Sequence, residues 1–186
     1  GGRGGGGRRM GPPIDLSRYI NKAVITEQVE NFVPEHKFSD FELDARLKAN
    51  VVTKGYVNPT PIQDRAIPHV MRGQDVVGIA NTGTGKTAAF LLPLINKCLA
   101  NPRERILIMV PTRELASQIY DELRAFAGRL PVYGAVCVGG AGIGAQMAAL
   151  RRYPQFVIGT PGRLKDLLER RALVLSDLHT AVLDEA

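Results

Sequence analysis

The stretch ANTGTGKT, residues 80–87, lies between a short apolar run and a longer apolar segment of helical character. This is the context that a phosphate-binding loop requires. Gly83 and Gly85 let the backbone curl so that successive N–H groups face phosphate oxygens, and the following helix adds its positive end. We expect Lys86 to bridge the β- and γ-phosphates and the Thr87 hydroxyl to bind Mg²⁺. A glycine-rich turn with an ordinary surface lysine is the alternative, and the context disfavours it.

Around this loop, short apolar runs rich in Val and Ile alternate with helical stretches from Phe38 onward. This alternation is typical of βαβ units. Five runs are interpreted as buried strands, at residues 75–80, 105–110, 132–138, 155–159 and 180–183. The helical stripes between them are Leu115, Ile119, Leu123 and Phe126, then Ile143, Met147 and Leu150, then Leu164, Leu167 and Leu168. Upstream, residues 43–54 and 61–71 predict two more helices, the second bent or interrupted by Pro68. The predicted fold is therefore α/β, a parallel sheet flanked by helices.

Clusters of Gly, Thr, Arg or acidic residues follow directly after each predicted strand. They are residues 82–87, 111–115, 139–140, 160–163 and 184–185. Ligands of open α/β sheets bind at the carboxyl ends of the strands. We therefore expect these five loops to converge on one edge of the sheet.

The last predicted strand ends in two carboxylates, Asp184 and Glu185. In a phosphoryl-transfer site an Asp in this position holds Mg²⁺, and a neighbouring acid orients and helps to deprotonate the attacking water. Asp184 is assigned the first role and Glu185 the second. An isolated acidic pair is more often a solvated strand end or a helix cap, but its pairing with the phosphate loop favours catalysis.

The amino terminus differs in composition from the rest of the 186 residues. Residues 1–13 are mostly Gly with Arg and Pro, and are predicted to stay flexible. Such a tract either adheres to RNA or is a plain linker, and the sequence leaves both open. Residues 14–37 are interpreted as an approach segment with a short helix around residues 19–32. The predicted domains are thus a Gly/Arg-rich extension, 1–37, and one folded domain, 38–186.

Composition adds weaker limits. The net charge of +6 favours polyanions but is not diagnostic. Cys98 and Cys137 lie far apart in apolar stretches and are predicted to be buried thiols in a reducing compartment. No signal peptide and no apolar run of about 18 residues is found, so a cytoplasmic protein without a membrane span is expected. Because the chain opens on Gly1 without Met and stops at Ala186, we expect truncation at both ends.

From Phe38 to Ala186 the sequence resembles the first RecA-like domain of DEAD-box RNA helicases, P-loop NTPases. Its phosphate loop, with Ala80 in place of the usual first Gly, is that family's version of Walker A. Residues 55–63, GYVNPTPIQ, look like the family's Q motif. The resemblance implies ATP as cofactor, with Phe38 stacking on adenine and Gln63 pairing with its N6 and N7 edge. The implied nucleotide-contacting residues are Phe38, Tyr56, Gln63, Thr82, Gly83, Thr84, Gly85, Lys86 and Thr87.

Three further motifs resemble the RNA contacts of the same domain: residues 111–115, 139–140 and 160–163. Hydroxyls, guanidinium groups and N–H groups near helix starts bind phosphates and sugars without reading sequence. The implied RNA-binding residues are Thr112, Arg113, Gly139, Gly140, Thr160 and Arg163. Arg113 by itself could be a helix-surface charge, Thr160 a helix cap and the glycine pair a simple turn. Their joint placement on one sheet edge favours RNA.

The resemblance also implies a partner, a second RecA-like domain that closes on this one with ATP and RNA between them. That domain would supply an arginine finger, and Lys86, Asp184 and Glu185 are the catalytic residues of this half. Alone, the chain is expected to bind nucleotide weakly and to unwind negligibly. A non-RNA P-loop ATPase or DNA translocase is one alternative. A non-catalytic RNA-binding module is another, which the intact catalytic residues disfavour.

Overall fold

The computed structural model describes residues 24–25 and 32–185. Its centre is a four-stranded parallel sheet with the strand order β4-β5-β3-β6. The strands are β3 (Ile106–Met109), β4 (Gly134–Cys137), β5 (Phe156–Gly159) and β6 (Thr180–Leu183). Parallel neighbours cannot be joined by a tight hairpin, so helices make the connections. The predicted parallel sheet flanked by helices is confirmed.

Helices occupy the segments between and before these strands. They are α1 (Ala45–Thr53), α2 (Pro61–Met71), α3 (Lys86–Ala100), α4 (Arg113–Ala127), α5 (Ile143–Leu150) and α6 (Pro161–Glu169). The predicted helical stripes are confirmed as contacts with the core, with Ile119, Leu123 and Phe126 of α4 at most 1% exposed. The predicted interruption at Pro68 is wrong, because α2 runs unbroken through it. Because proline has no backbone N–H, Pro68 removes one helical hydrogen bond but does not end the helix.

The strand that precedes the phosphate loop differs from its prediction. β2 (Val77–Gly78) is only two residues long, Val77 is 41% exposed, and it pairs in parallel with β1 (Val24–Ile25). The predicted buried strand over 75–80 is therefore wrong in length and burial. A helix over 19–32 is wrong at Val24–Ile25, which are extended. The apolar composition of a segment favours a strand, but it does not show which other elements of the fold pack against that strand.

The strand β6 was also predicted to be buried, and it is an edge strand of the four-stranded sheet. Ala181 is exposed and Leu183 is 61% exposed. The inner strand β5 is instead buried along its whole length. The burial of a strand thus depends on its position in the sheet. The sequence of a single strand does not reveal that position.

The core lies on both faces of the sheet, because successive side chains of a strand point to opposite faces. Ile106 and Ile108 of β3 face the larger cluster, formed with α1, α3 and α4. Leu107 and Met109 face the smaller one, formed with α5 and α6. The two cysteines are free and buried, one in each cluster, as predicted. None of the described helices, within residues 32–185, is long and apolar enough to cross a membrane.

Candidate nucleotide and RNA sites

Side-chain hydrogen bonds within the phosphate loop hold it in a closed conformation. Gly83 and Gly85 have φ angles of 83° and 91°, a left-handed conformation that glycine adopts without strain, and α3 begins directly afterwards. The Thr84 hydroxyl donates to the Asn81 carbonyl at 2.7 Å. The Lys86 ammonium donates to the Ala80 carbonyl at 2.9 Å. The charged group that is predicted to bind phosphates is thus held by a neutral loop acceptor.

Asp184 and Lys86 come together from two separate loops. The Asp184 N–H donates to the Met109 carbonyl at 3.1 Å, so the backbone keeps the register of β6 for one more residue. Burial raises the pKa of the Asp184 carboxyl, while the nearby Lys86 charge lowers it and the Glu185 carboxylate raises it. Asp184 therefore lies within electrostatic reach of both Lys86 and Glu185. Glu185 itself is exposed and has a φ of 55°.

The two predicted metal ligands, Thr87 and Asp184, fit Mg²⁺ only when phosphate oxygens complete its shell. Hydroxyl and carboxylate oxygens, here Thr87 and Asp184, are ligands that Mg²⁺ prefers. Among residues 32–185, no group of three His, Cys, Asp or Glu side chains could hold a metal ion. In phosphate sites Mg²⁺ binds through one or two carboxylates, with waters and substrate oxygens completing its shell. The residues present match that type of site and not an all-protein metal cage.

Gln63 links α2 to the phosphate loop. Its side chain is buried, with Oε1 accepting from the Thr60 N–H at 3.0 Å and Nε2 donating to the Gly85 carbonyl at 3.1 Å. A Cβ at Gly85 would collide with this amide, so only glycine allows the approach. The contact brings the predicted adenine residue to the predicted phosphate site. Pairing with adenine itself stays a prediction.

Phe38 and Tyr56 pack against other aromatic rings. Phe38 is 3% exposed, and its ring packs edge to face against Phe41 at 5.8 Å and Tyr56 at 5.6 Å. Tyr56 in turn contacts Phe126 of α4. The Phe38 ring is closed off by this packing, so stacking on adenine would require it to become exposed, whereas Tyr56 is half-buried. Their assignment to the nucleotide site stays a prediction.

The three motifs predicted to contact RNA line one cavity of about 530 Å³. The lining residues are Pro111, Thr112, Arg113, Glu114, Gly139, Thr160, Gly162 and Arg163. Gly140 joins them through Arg113, whose guanidinium lies where a Cβ of Gly140 would be. All six predicted RNA-binding residues are therefore brought together, from the carboxyl ends of β3, β4 and β5.

Two guanidinium groups hold the turn after β4. Arg113 lies against Gly139 and Gly140, and Arg163 donates to the Ala141 carbonyl at 3.1 Å. The Thr112 hydroxyl caps α4 by accepting from the Leu115 N–H at 3.2 Å. Thr160 occupies the corresponding position before α6, where its side chain makes no cap bond. The local alternative of a helix cap thus applies to Thr112 and not to Thr160.

Asp64 is the residue of this region that the sequence did not reveal. Its carboxylate is 3% exposed and accepts hydrogen bonds from Glu35 and His36. The available signal was an acidic residue next to Gln63 in the first turn of a helix, which is also common on solvated helices. Only the folded chain shows that this side chain points inward.

The comparisons with known proteins agree with this geometry. A sequence model of DEAD/DEAH box helicases matches residues 60–186. Over 151 residues the chain is 46% identical to the ATP-dependent RNA helicase DeaD of Buchnera aphidicola subsp. Baizongia pistaciae, covering 80% of this chain and 25% of that one. It is also 46% identical over 151 residues to the ATP-dependent RNA helicase CshA of Limosilactobacillus reuteri, covering 81% and 30%.

Among solved structures, a DEAD box protein from the hyperthermophile Methanococcus jannaschii matches with a TM-score of 0.73 and 35% identity, over 79% of this chain and 40% of that one. The chain therefore spans less than half the length of each of these relatives. The residues that match the family model, 60–186, contain the phosphate loop, the cavity and the acidic pair described above. The chain belongs to the DEAD/DEAH box helicase family.

Proposed function

We propose that this chain is the ATP-binding RecA-like domain of an ATP-dependent RNA helicase. It binds ATP with Mg²⁺ and the backbone of RNA, and it couples ATP hydrolysis to local RNA unwinding or remodelling when joined to a second RecA-like domain. The observation that carries the proposal is the shared cavity of the three RNA motifs beside the strand that ends in Asp184 and Glu185.

Strand register supports the coupling of the two sites. β3 and β6 are neighbours, with Met109 opposite Leu183. The residues that follow them, 111–113 and 184–185, therefore leave the sheet side by side. One of these segments lines the cavity and the other carries the acidic pair. Any movement of the acidic pair during hydrolysis would therefore occur next to the RNA-binding residues.

The chemistry of the cavity favours nucleic-acid backbone. Arg113 and Arg163 supply guanidinium groups, and Thr160 supplies a hydroxyl free of a helix-cap bond. The first turns of α4 and α6 point N–H groups towards the same space. These donors bind phosphate and sugar oxygens and cannot distinguish bases. Sequence-independent binding follows.

On the nucleotide side, Lys86 would exchange the Ala80 carbonyl for phosphate oxygens, with Gly83 and Gly85 shaping the loop around them. Thr87 and Asp184 would hold Mg²⁺, whose contribution when bound is to neutralise phosphate charge. Glu185 would orient the attacking water and accept its proton. Thr82 and Thr84, on the same loop, would face the phosphates.

The proposal also includes a boundary at residue 37 between the extension and the folded domain. It further includes a second RecA-like domain that joins this one. An arginine finger from that domain accelerates hydrolysis by roughly 10³ to 10⁵ in related phosphoryl-transfer systems. Residues 1–186 alone would then bind adenine nucleotide weakly and unwind RNA negligibly. Efficient RNA-stimulated hydrolysis by this chain alone would contradict the requirement for a partner.

The test is binding of a fluorescent single-stranded RNA to the chain, measured by anisotropy, with DNA of the same sequence as competitor. We expect binding that weakens with salt, ignores base sequence and prefers RNA, because 2′-hydroxyls distinguish the two polymers. Arg113→Ala should weaken it, whereas Arg46→Ala, an exposed arginine of α1 paired with Asp44, should not. Equal competition by DNA would favour a DNA translocase instead.

A further inference from the structure

The buried carboxylate of Asp64 forms hydrogen bonds with the segment that precedes Phe38. Oδ2 accepts from the Glu35 N–H at 2.8 Å, and Oδ1 accepts from the His36 N–H at 3.2 Å. Oδ1 also lies 2.7 Å from Nδ1 of the His36 ring. Burial of a carboxylate costs free energy unless its oxygens are hydrogen-bonded, and here the bonds come from residues 35 and 36. Asp64 therefore fastens this segment to α2.

The His36 ring is the first member of an aromatic row, which we define as His36, Phe41, Phe38 and Tyr56. The His36 and Phe41 rings have centroids 5.5 Å apart, and Phe41 and Phe38 are 5.8 Å apart. Phe38 and Tyr56 follow at 5.6 Å. Fixing His36 thus restrains the end of the row, whose other end carries both rings of the proposed adenine site.

The residue before Asp64 makes the complementary connection. Gln63 donates to the Gly85 carbonyl of the phosphate loop at 3.1 Å. Gln63 and Asp64 are consecutive residues in the first turn of α2 and both are buried. One side chain ties this turn to the phosphate loop, and the other ties it to the aromatic row. The distance between phosphate loop and aromatic row is therefore fixed through a single helical turn.

We propose that Asp64 is a positioning residue for base recognition, which fastens the aromatic row to the helical turn that carries Gln63. This inference rests on the proposed function and on the contacts of Gln63 and Phe38 with adenine that the family resemblance implies. Asp64 does not touch the nucleotide. It acts by fixing His36, and through it the row, against the turn that carries Gln63.

The experiment compares dissociation constants of the full chain for ADP, GDP and inorganic tripolyphosphate. Asp64→Ala is expected to weaken ADP binding by about five- to tenfold, the size of one lost hydrogen bond, and to leave GDP and tripolyphosphate within about twofold. Asp64→Asn should restore most of the preference for ADP. Its amide oxygen can take the place of Oδ2 and accept from the Glu35 N–H, and its nitrogen can take the place of Oδ1 and donate to Nδ1 of neutral His36, so that only the His36 N–H loses its acceptor.

The matched control is Asp40→Ala. Asp40 is a carboxylate of the same segment that is exposed and bonded within its own turn, to the Lys37 N–H at 2.7 Å and the Ser39 hydroxyl at 3.0 Å. It should leave all three dissociation constants unchanged. Equal losses for ADP and tripolyphosphate in Asp64→Ala would mean general loosening of the fold, and would overturn the inference.

Gln63→Ala separates this inference from the function on which it rests. If Gln63→Ala loses the preference for ADP and Asp64→Ala keeps it, Asp64 is not a positioning residue and the proposed adenine site stands. If Gln63→Ala keeps the preference, both proposals fail. Should Asp64→Ala not fold, His36→Ala replaces it, because it removes the ring and keeps both backbone bonds to Asp64. Retained preference in His36→Ala would then overturn the inference, and its loss would support it.

Discussion

The Lys86 ammonium donates a hydrogen bond to the Ala80 carbonyl at 2.9 Å, across the phosphate loop that both residues border. A nucleotide would replace this neutral acceptor with anionic oxygens. The bond to Ala80 joins an ammonium to a neutral oxygen, whereas a bond to phosphate joins two opposite charges and adds their Coulomb attraction. The loop is therefore closed by a bond that phosphate can outcompete.

Replacement of Lys86 tests this exchange. We expect Lys86→Ala to weaken ATP binding at least about tenfold, since a hydrogen bond to a charged group contributes about 1.5–3 kcal/mol. Thermal stability should change little, because the lost bond lies within one half-exposed loop. Calorimetric titration with ATP measures the first quantity and thermal unfolding the second. Lys165→Ala, on an exposed lysine of α6, is the control.

Gly140 tests the placement of Arg113. Its φ is 79°, and an added Cβ would collide with the Arg113 guanidinium. Gly140→Ala should displace that group and weaken RNA binding, as Arg113→Ala does. If Gly140 acts through Arg113, the double variant should bind RNA about as weakly as Arg113→Ala alone. Fully additive losses would show that the glycine acts independently.

A second glycine provides the control for backbone effects. Gly144 lies inside α5, and a Cβ there meets nothing within 4 Å. Gly144→Ala should leave RNA affinity unchanged and raise stability by less than about 1 kcal/mol, because alanine is the better helix former but Gly144 lies in the first turn of α5. Anisotropy and urea unfolding measure the two effects.

The sequence was sufficient for the features that depend on local order along the chain. Hydrophobic periodicity located the helices, and the position of each polar cluster directly after a strand placed the RNA motifs on one edge. Arg113 and Arg163 indeed line one cavity, although 50 residues apart in the sequence. The rule succeeded because parallel strands share a direction, so their carboxyl ends meet whatever the strand order.

Features that depend on pairing between distant segments were not predictable. The contact of Gln63 with Gly85 joins residues 22 positions apart, and that of Asp64 with Glu35 joins residues 29 apart. Neither follows from any periodicity. The burial of Phe38 has the same origin in part, because Tyr56, 18 positions further along the chain, covers it together with the sequence neighbour Phe41. The spacing of motifs along the chain indicates their roles, whereas the exposure of a side chain is decided by tertiary packing.

The ion pair between Lys97 and Glu104 lies outside the proposed sites. It tests how the burial of a carboxylate affects the free energy of unfolding. The Glu104 side chain is 6% exposed, lies 2.7 Å from the Lys97 ammonium and accepts from the Thr180 hydroxyl at 3.1 Å. Lys97→Met would leave a buried carboxylate with one neutral donor. We expect a loss of about 1–3 kcal/mol in the free energy of unfolding, below the values for fully buried pairs because Lys97 is 42% exposed.

The comparison pair is Lys165 and Glu169, which are 77% and 66% exposed and 3.9 Å apart. Lys165→Met should change stability by less than about 0.5 kcal/mol, as exposed pairs in helices do. Urea unfolding of both variants under one buffer condition measures the contrast. Equal effects would show that burial of Glu104 does not set the strength of its pair.

The two buried thiols predict a loss of stability at alkaline pH. Burial raises the pKa of the Cys98 thiol from 9.0 to about 12 and that of Cys137 from 9.0 to about 11. Since the unfolded thiols ionise near pH 9 and the folded ones do not, the unfolded state alone gains from ionisation. The stabilisation is complete below pH 9 and is lost as the pH rises through the folded values.

A double variant, Cys98→Ala with Cys137→Ala, isolates this effect from the titration of lysines and tyrosines. Its unfolding free energy at pH 7 should be lower than that of the native chain, because two core side chains are shortened. Between pH 7 and pH 10, however, the native chain should lose about 1 kcal/mol more per thiol than the variant does. Urea unfolding at the two pH values measures that difference. Parallel losses in both proteins would mean that the thiols ionise as readily in the folded chain as in the unfolded one, which burial in the two core clusters does not allow.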